Sequence, residues 1–397
     1  MVQQQETLLP GTQNVALLDA LDRVLASAVA ADRDQPPFHR STRDGFAGCA
    51  AELNTGLPVH MLGQVRAGEV WTGLPLQAHE AVEIMTGAPV PAGADCVVMV
   101  EHVLGPDDGS SIRLEPGRTI RSGENIVPEG SEARAGEMIL PTGVRMGAAE
   151  IALAASCGCA TLEVFRRVRV AILPTGDELV EVAERPLPHQ IRNSNSYALA
   201  AAVTAAGGEA VRLPVALDSR DALLAGIRAA EGCDLLLLTG GVSMGKYDLV
   251  EEVLLSLDAE FFFTGVRMQP GKPVVFGRLP AKGDRPQFFF GLPGNPVSTQ
   301  VCFLLFVLPL LRAMSGSGLQ QPNFVGATLE EGITAKPGLT RFLPALLTHD
   351  LASPAVRPVR WQGSGDQAAN ARANCYVVVP EDKESMTAGE HVTVLLR

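Results

Sequence analysis

Apolar residues recur at helical spacing in two stretches, residues 14–31 and 143–160. In the first stretch apolar side chains return once per helical turn, and the pattern is interrupted afterwards at Pro36 and Pro37, so it predicts a helix that ends before the two prolines. Its apolar positions are Leu17, Leu18, Leu21, Val24 and Leu25. The second stretch predicts another helix.

The segment between these stretches has a different pattern. From about residue 55 to 130 it consists of short runs rich in Val, Ile and Gly, separated by turns that contain Gly and Pro. Such punctuation is typical of short strands. We therefore predict a helical linker region made of 1–36 and 131–165, with a β module at 37–130 inserted into it.

Strands and helices alternate from residue 168 to 314. The predicted strands are Arg167–Leu173, Ala210–Val215, Asp234–Thr239, Glu260–Thr264, Pro273–Gly277 and Gln287–Gly291. The predicted helices are 195–206, 220–231, 246–257 and 295–314. The run Leu235–Leu238 is apolar throughout, which a strand requires when helices cover both faces of a parallel sheet. Residues 166–315 are thus predicted to form an open, mostly parallel α/β sheet domain.

The last part of the chain is set apart by a Ser-Gly-Ser-Gly segment after Met314, which is typical of a linker. Beyond it, Tyr376–Val379 and Val392–Leu396 are short strand-like runs. They predict a small C-terminal β domain at 316–397. The fold class is therefore α/β multidomain.

Composition limits the partners. The chain has 397 residues and a formal net charge of -12, so a nucleic acid or an acidic membrane would be repelled at long range and an anionic ligand must be held by local groups.

The apolar run Val301–Leu311 is too short to span a bilayer and predicts a buried helix. The N-terminus has no secretory pattern, so we expect a cytoplasmic protein. The cysteines lack C-x-x-C spacing and the histidines are isolated, which disfavours zinc sites and Ser-His-Asp triads.

Three glycine-containing loops follow predicted strands of the sheet, at Pro174–Glu178, Thr239–Gly245 and Leu292–Ser298. Ligands of open α/β sheets bind at the carboxyl ends of the strands. In the third loop Asn295 can be an N-cap and Pro296 fits the first helical position, so the free N–H groups of the next turn could bind an anion. A tight strand-to-helix turn and a well-capped core helix are the alternatives. The second loop is neither a P-loop nor a dinucleotide fingerprint.

Carboxylates gather beside the same loops: Asp177, Glu178, Asp218 and Asp248. Acidic side chains facing an anionic ligand imply an intervening divalent cation, and Mg²⁺ typically binds carboxylates together with substrate phosphates. Helix N-caps and solvated turns are the alternative roles, especially for Asp218. Lys272 lies between two prolines in a Pro-Gly-Lys-Pro loop and is a candidate phosphate contact, or else a solubility lysine.

Several motifs together resemble those of the MoeA family of molybdopterin molybdenumtransferases, which includes the gephyrin E domain. In the sheet domain they are Thr175–Leu179, Ser194–Ser196, Thr239–Asp248, Pro270–Pro273 and Gly291–Ser298. Outside it they are Asp44–Ala47, Ile84–Asp95, Arg121–Ile126 and Gln362–Ser364. The resemblance covers nearly the whole chain.

The resemblance implies an elongated four-domain subunit with a C-terminal β-barrel, and a homodimer whose site lies between the sheet domain of one subunit and the β module of the other. It implies the last step of molybdenum cofactor assembly, in which adenylylated molybdopterin and molybdate react with Mg²⁺ to give the cofactor and AMP. A molybdopterin adenylyltransferase and molybdoenzyme maturation factors would be protein partners. The alternatives are an adenylyltransferase activity or a non-catalytic, gephyrin-like scaffold.

The resemblance also implies residue roles. Asp248 and Glu178 would be metal ligands, and they would act in catalysis with Asp44 and Thr86 of the other subunit's β module. Cofactor-binding residues would be Thr175, Gly176, Asp177, Asp218, Thr239, Gly240, Gly241, Ser243, Gly245, Lys272, Pro293, Gly294, Asn295, Pro296 and Ser298, together with Arg341 and Ser364 near the molybdate.

Three positions depart from the family pattern. Asn125 stands where the family motif has an Asp, and Gln269 stands where some relatives have a Lys. Thr42-Arg43 replaces a more usual Ala-Met before Asp44. These changes could alter the choice of oxyanion, and the sequence leaves open whether molybdate or tungstate is preferred.

Overall fold

The computed structural model describes residues 9–105, 109–240, 249–282, 285–317, 321–348 and 353–397. The chain forms two compact units. The small unit comprises residues 27–142 and 148–161, and the large unit comprises the other described residues.

The N-terminal segment of the large unit is not the helix that its periodicity predicts. It forms strand β1 (Thr12–Ala16) and one 3-10 turn (Leu17–Ala20), and Asp22 then has a left-handed backbone with φ of 61°. The N–H groups of Asp22 and Leu25 donate to the carbonyls of Met146 and Val144, at 2.8 and 2.9 Å. The prediction for 14–31 was wrong because these hydrogen bonds go to a distant segment rather than along the chain.

The small unit is built around a six-stranded sheet. Its elements are β2 (Val29–Ala30), β3 (Arg40–Ser41), β4 (Gly45–Gly48), α1 (Ala50–Leu53), β5 (Val59–Val65), β6 (Glu80–Ile84), β7 (Cys96–Met99), β8 (Val103–Leu104), β9 (Ser111–Leu114), β10 (Ile126–Val127), β11 (Met138–Leu140) and α2 (Ala148–Ser156). The sheet order is β7-β4-β6-β5-β9-β8, and β10 pairs with β3 and β11 with β2. A β module is thus present, and α2 lies within the second predicted helical stretch.

The large unit continues with the open α/β sheet. Its elements are β12 (Thr161–Phe165), β13 (Arg169–Pro174), β14 (Leu179–Val180), β15 (Ile191–Arg192), α3 (Asn195–Ala205), β16 (Glu209–Arg212), α4 (Arg220–Ala229), β17 (Leu235–Thr239), α5 (Leu249–Leu255), β18 (Glu260–Thr264), β19 (Met268–Gln269), β20 (Val275–Lys282), β21 (Arg285–Leu292), α6 (Pro296–Cys302) and α7 (Leu308–Met314). The sheet order is β16-β13-β17-β21-β20-β18. The pairs from β16 to β21 are parallel, and β20 is antiparallel to both its neighbours.

Both faces of this sheet are buried. In β17, Leu237 packs in the apolar cluster that includes residues of α3, α6 and α7, whereas Leu236 packs in the cluster that includes residues of α4 and α5. Both side chains have no exposed area. The run Leu235–Leu238 is therefore apolar throughout because helices cover both faces of the sheet, as the sequence predicted. Alternate residues of the run enter two different cores.

One helix of the described residues, Pro296–Met314, is long and apolar enough to cross a membrane, and 61% of the stretch that meets this test is buried in the protein. It includes α6, a π-helical turn (Phe303–Val307) and α7. The N–H of Leu308 donates to the carbonyl of Phe303, five residues back. This wider turn lets the helix continue past Pro309, which lacks an N–H donor. The stretch is the predicted buried helix.

The C-terminal part of the large unit is a closed barrel. Its elements are β22 (Phe324–Leu329), β23 (Ile333–Thr334), β24 (Thr340–Thr348), β25 (Ala355–Pro358), α8 (Gln367–Arg372), β26 (Cys375–Val379), β27 (Ser385–Met386) and β28 (His391–Leu396). The order β24-β25-β22-β28-β26 closes because β26 also pairs with β24, and β19 extends the sheet beside β24. The predicted α/β multidomain fold class is confirmed.

Candidate active site

Three neighbouring parallel strands of the sheet, β13, β17 and β21, end at the same edge of the sheet. Pro174, the last residue of β13, pairs with Thr239 of β17, and Thr239 pairs with Leu292 of β21. The three glycine-containing loops therefore begin side by side at the same edge of the sheet, where α/β folds bind their ligands.

Asn195, the first residue of α3, ties two of these loops together. Its side-chain amide donates to the Thr239 hydroxyl at 3.2 Å and to the Gly294 carbonyl at 2.7 Å. Sequence reasoning gave Asn195 no role, although the run Ser194–Ser196 was among the family motifs. An amide can bridge two acceptors in this way because it carries two N–H groups.

Gly240 lies directly against the first loop. Its backbone has φ of 100°, and a Cβ placed on it would lie 2.1 Å from the carbonyl oxygen of Thr175. A Cβ on Gly294 would in turn lie 3.6 Å from the Gly240 Cα. Only glycine fits at position 240, because the main chain there lies directly against the Thr175 carbonyl.

The Thr175 hydroxyl is an unsatisfied polar group at this edge. Thr175 is 1% exposed, and its Oγ1 has no hydrogen-bond partner among the described residues. Its backbone N–H donates to the Thr239 carbonyl at 2.9 Å, which fixes the residue beside β17. Leaving a buried hydroxyl unpaired costs about 1–3 kcal/mol, and a ligand that bonded it would recover that cost.

The start of α6 differs from the predicted anion site. Asn295 occupies the N-cap position, but its side chain makes no capping hydrogen bond. Pro296 has no N–H to offer, and the N–H of Val297 donates to the Ser364 carbonyl at 3.0 Å. The segment before α8 therefore uses one of the N–H groups that the sequence left free, and the anion site stays a prediction. This contact places Ser364 at the loop that begins at Pro293, while Ser298 is buried under it at 4% exposure.

Three carboxylates lie near the loop after β13. Asp177 accepts a 3.0 Å hydrogen bond from the N–H of Asp218. The pKa of Asp218 is raised, first by burial and then by the negative charge of Asp177. The charge of Glu178 raises it further. The Glu178 carboxylate folds over Gly176, since a Cβ on that glycine would lie 2.6 Å from it. Negative charge is thus concentrated beside the loop.

Parts of the predicted site lie outside the described residues. They are Gly241, Ser243, Gly245 and the predicted metal ligand Asp248. Among the residues that the structure describes, no group of three or more His, Cys, Asp and Glu side chains is arranged to hold a metal ion.

The Pro270–Pro273 loop follows β19, which pairs with the start of β24 in the barrel. Gln269 lies opposite Arg341 in this pairing, and the Arg341 guanidinium donates to the Gln269 side chain. Arg341 also donates to the Lys336 carbonyl at 2.9 Å. Lys272 is exposed in the loop beside this pair. The structure thus brings Arg341 to the strand that precedes the Lys272 loop.

In the small unit, Asp44 and Thr86 are exposed and adjacent. The backbone N–H of Thr86 donates to the Asp44 carboxylate at 2.6 Å. This bond and one from the Thr86 side chain hold the pKa of Asp44 below its ordinary value. Asp44 is therefore fully ionised at neutral pH.

Three protein-family models match successive parts of the chain. They are the MoeA N-terminal region (domain I and II) at residues 1–158, a probable molybdopterin binding domain at 171–313 and the MoeA C-terminal region (domain IV) at 326–396. It is 33% identical to the molybdopterin molybdenumtransferase of Staphylococcus aureus strain COL, over 99% of this chain and 92% of that protein. The chain belongs to the MoeA family.

Other MoeA relatives agree with this assignment. The molybdopterin molybdenumtransferase of Bacillus subtilis strain 168 is 33% identical, over 97% of this chain and 90% of that protein. A crystal structure of the molybdopterin biosynthesis MoeA protein of Pyrococcus horikoshii superposes with a TM-score of 0.75 at 31% identity, covering 100% of this chain and 96% of that one.

Two departures from the MoeA pattern have local explanations here. Asn125 has a left-handed backbone with φ of 60°, and its side-chain amide donates to the Val97 carbonyl at 2.8 Å. An ionised Asp could not donate this bond. Gln269 supplies an acceptor for Arg341, whereas a Lys there would repel the guanidinium. The Thr42 hydroxyl donates to the Asn125 carbonyl at 3.2 Å, a bond that Ala could not make, whereas the structure gives no reason for Arg43.

Proposed function

We propose that this protein is a molybdopterin molybdenumtransferase, which inserts molybdate into adenylylated molybdopterin and releases AMP. Full-length relatives carry the name of this activity, and the loops at the carboxyl edge of the sheet have the form of a site for an anionic nucleotide. The observation that carries the proposal is the buried Thr175 hydroxyl, which has no hydrogen-bond partner among the described residues and lies beside the backbone of Gly240.

In this proposal the loops after β13, β17 and β21 hold the nucleotide. The Thr175 hydroxyl bonds a ligand atom, and the glycine backbone permits close approach of a phosphate. Asn195 keeps the second and third loops at a fixed separation through its two hydrogen bonds. Lys272 offsets phosphate charge in a protein whose overall field repels anions.

The side chains beside the first loop carry the kind of donor atom that a hard divalent cation prefers, although the described residues alone do not form a complete metal site. Asp177, Glu178 and Asp218 offer carboxylate oxygens, and the pKa of Asp218 is raised by burial first and then by the negative charge of Asp177. Mg²⁺ prefers such oxygens together with phosphates. We propose Glu178 and Asp248 as its ligands, with Asp177 and Asp218 around them. The ion would supply charge stabilisation as the phosphoanhydride bond of the substrate is hydrolysed.

The homodimer is part of the proposal. Asp44 and Thr86 of one subunit would complete the site on the large unit of the other, where Arg341 and Ser364 would contact molybdate. The ionised Asp44 can accept a proton or a hydrogen bond at neutral pH. We further propose that the protein works in the cytoplasm, that it receives substrate from a molybdopterin adenylyltransferase and that it passes product to molybdoenzyme maturation factors.

The proposal is tested by AMP release. Purified protein is mixed with adenylylated molybdopterin, Mg²⁺ and molybdate, and AMP and pterin-bound molybdenum are measured together. We expect both to rise in parallel, to fall on chelation of Mg²⁺, and to fall strongly in Asp248→Asn while the pterin nucleotide still binds. The matched control is Asp221→Asn, an acidic residue in the first turn of α4.

Other outcomes identify the alternatives. Binding of the pterin nucleotide without AMP release at any molybdate concentration would indicate a scaffold. Formation of the adenylylated compound from ATP and molybdopterin would indicate an adenylyltransferase. Either result contradicts the proposed function.

A further inference from the structure

A second cleft in the large unit is lined by arginines. Five of its lining side chains are guanidinium groups and one is a carboxylate: Arg23, Arg145, Arg166, Arg167, Arg312 and Asp22. Its enclosed part is small, about 20 Å³, which is room for little more than one water molecule, and the rest of the cleft is open to solvent. Such an excess of positive charge at one place is unexpected in a chain with a net charge of -12.

The cleft is separate from the candidate active site. Arg166 and Arg167 precede β13, and Gly207, which also lines the cleft, precedes β16. These residues lie at the amino ends of parallel strands, whereas the glycine-containing loops follow the carboxyl ends. The cleft is therefore at the opposite edge of the sheet.

Arg312 is the least satisfied of the five arginines. Its Nε is buried and has no hydrogen-bond partner among the described residues. Burial first, and the charge of Arg145 second, lower the pKa of Arg312. Arg145 itself donates to Asp22 at 3.1 Å and to the Ala205 carbonyl at 3.3 Å. The positively charged Arg145 and Arg312 thus repel one another in the same cleft. The carboxylate that pairs with Arg145, Asp22, is largely exposed.

A second pair of guanidiniums has the same relationship. Arg23 is 7% exposed and donates to the Phe165 carbonyl at 2.8 Å. Burial first, and then the charge of Arg167, lower the pKa of Arg23. Arg167 donates one hydrogen bond, to the Gly207 carbonyl at 3.0 Å. Carbonyl groups at the end of α3 therefore accept hydrogen bonds from Arg145 and Arg167. A carbonyl carries only a partial negative charge, so it does not neutralise the full positive charge of a guanidinium.

We propose that this cleft binds a phosphate dianion, with Arg167 and Arg312 as its principal ligands. A guanidinium matches two oxygens of a tetrahedral oxyanion with two parallel N–H groups, and a dianion would offset the repulsion within both arginine pairs. The inference goes beyond the proposed function, because it adds an anion site that the nucleotide loops do not share. Inorganic phosphate and a phosphate monoester such as AMP offer the same chemistry.

The test is equilibrium dialysis of the full-length protein against radiolabelled inorganic phosphate at constant ionic strength. The variant is Arg167→Gln with Arg312→Gln. The matched control, Arg220→Gln with Arg278→Gln, removes two charges from surface pairs with Glu252 and Glu260. Lys272→Gln reports on phosphate held at the active site instead. Added AMP distinguishes the sources, since displacement of the label identifies a monoester as a ligand.

We expect about one phosphate per chain with an affinity near millimolar, weakened about tenfold or more by Arg167→Gln with Arg312→Gln and within about twofold of the wild type in Arg220→Gln with Arg278→Gln. Circular dichroism checks that each variant is folded. In the wild type, phosphate should also protect Arg167 and Arg312 from phenylglyoxal, measured by mass spectrometry. Absence of wild-type binding and protection at about 10 mM phosphate, or equal binding by the double variant, overturns the site. Loss of the label in Lys272→Gln alone also overturns it.

Discussion

The backbone N–H of Thr86 donates a 2.6 Å hydrogen bond to the carboxylate of Asp44, and so joins two exposed loops of the small unit that are 42 residues apart. The bond is stronger to the ionised carboxylate than to the protonated acid, which is why the pKa of Asp44 is lowered. Two side chains that the sequence assigned to one site are therefore held in a fixed mutual arrangement by the protein itself.

This relationship predicts a pH dependence of stability. Because the folded protein lowers the pKa of Asp44, the stabilisation is present above the ordinary Asp value of about 3.9 and is lost as the pH falls through the lower folded value. Asp44→Asn should therefore flatten the acid side of a plot of melting temperature against pH. Asp19→Asn is the control. An unchanged acid limb in Asp44→Asn would show that the bond does not contribute.

Gly45 is expected to be irreplaceable for steric reasons. A Cβ at this position of β4 would lie 1.9 Å from the Val98 carbonyl oxygen on β7. Gly45→Ala should lower the free energy of unfolding by about 3 kcal/mol or more, because the two strands would have to separate. Gly48 is on the same strand, and its Cβ would meet ordinary contacts at 3.4 Å or more. Urea unfolding that ranked Gly48→Ala as the more damaging change would contradict this view.

Removing the Thr175 hydroxyl is predicted to raise the stability of the protein and to weaken ligand binding. Thr175→Val replaces the unpaired hydroxyl with a methyl group of the same shape, so the ligand-free protein should become about 1–2 kcal/mol more stable. The nucleotide-pterin should bind about fivefold to tenfold more weakly, because the hydroxyl is no longer there to bond it. Urea unfolding and calorimetric titration measure the two effects. Thr239→Val is the control and should be less stable, since Asn195 would lose an acceptor.

Gly240 provides a separate check on the junction of the loops. Gly240→Ala places a Cβ 2.1 Å from the Thr175 carbonyl oxygen, with φ at 100°, so we expect a loss of about 3 kcal/mol or more and no detectable nucleotide binding. Gly294→Ala meets its nearest atom at 3.6 Å and should stay within about 1 kcal/mol of the wild type. Equal unfolding midpoints for the two variants would argue against the tight contact.

Tyr376 is predicted to control stability at high pH. It is fully buried in the barrel, donates a 2.7 Å hydrogen bond to the Asn370 side chain, and burial raises its pKa to about 12. Its contribution should be complete below the ordinary Tyr value of about 10 and be lost as the pH rises toward 12. Tyr376→Phe should cost about 1–2 kcal/mol at neutral pH, because the Asn370 oxygen loses its donor, and should reduce the alkaline loss. Tyr197→Phe, at an exposed site, is the control.

The α/β sheet could be predicted because its signals are local. Runs such as Leu235–Leu238 report burial on both faces, and predicted strands alternate with predicted helices along the segment. The segment 14–31 has equally regular spacing, yet it forms β1 and a single 3-10 turn. Residues 22–26 of this segment make hydrogen bonds with residues 143–146 and 163–165, and a local period contains no information about partners so distant in sequence.

The candidate site shows the same division. Glycine-containing loops after strands could be placed at one edge of the sheet from general rules of α/β folds. The bridge made by Asn195 and the use of the Val297 N–H by Ser364 could not, because each joins residues that only folding brings together. The arginine cleft is a further example, since Arg23, Arg145 and Arg312 are separated by more than a hundred residues.

By itself the sequence determined the fold class, the membership of a family and the chemical types available at the sheet edge, because burial period, glycine positions and charged side chains are properties of neighbouring residues. The tertiary structure alone decided which buried donors and acceptors lack a partner among the described residues. That outcome depends on contacts between segments far apart in the chain, as the Thr175 hydroxyl and the Arg312 guanidinium show.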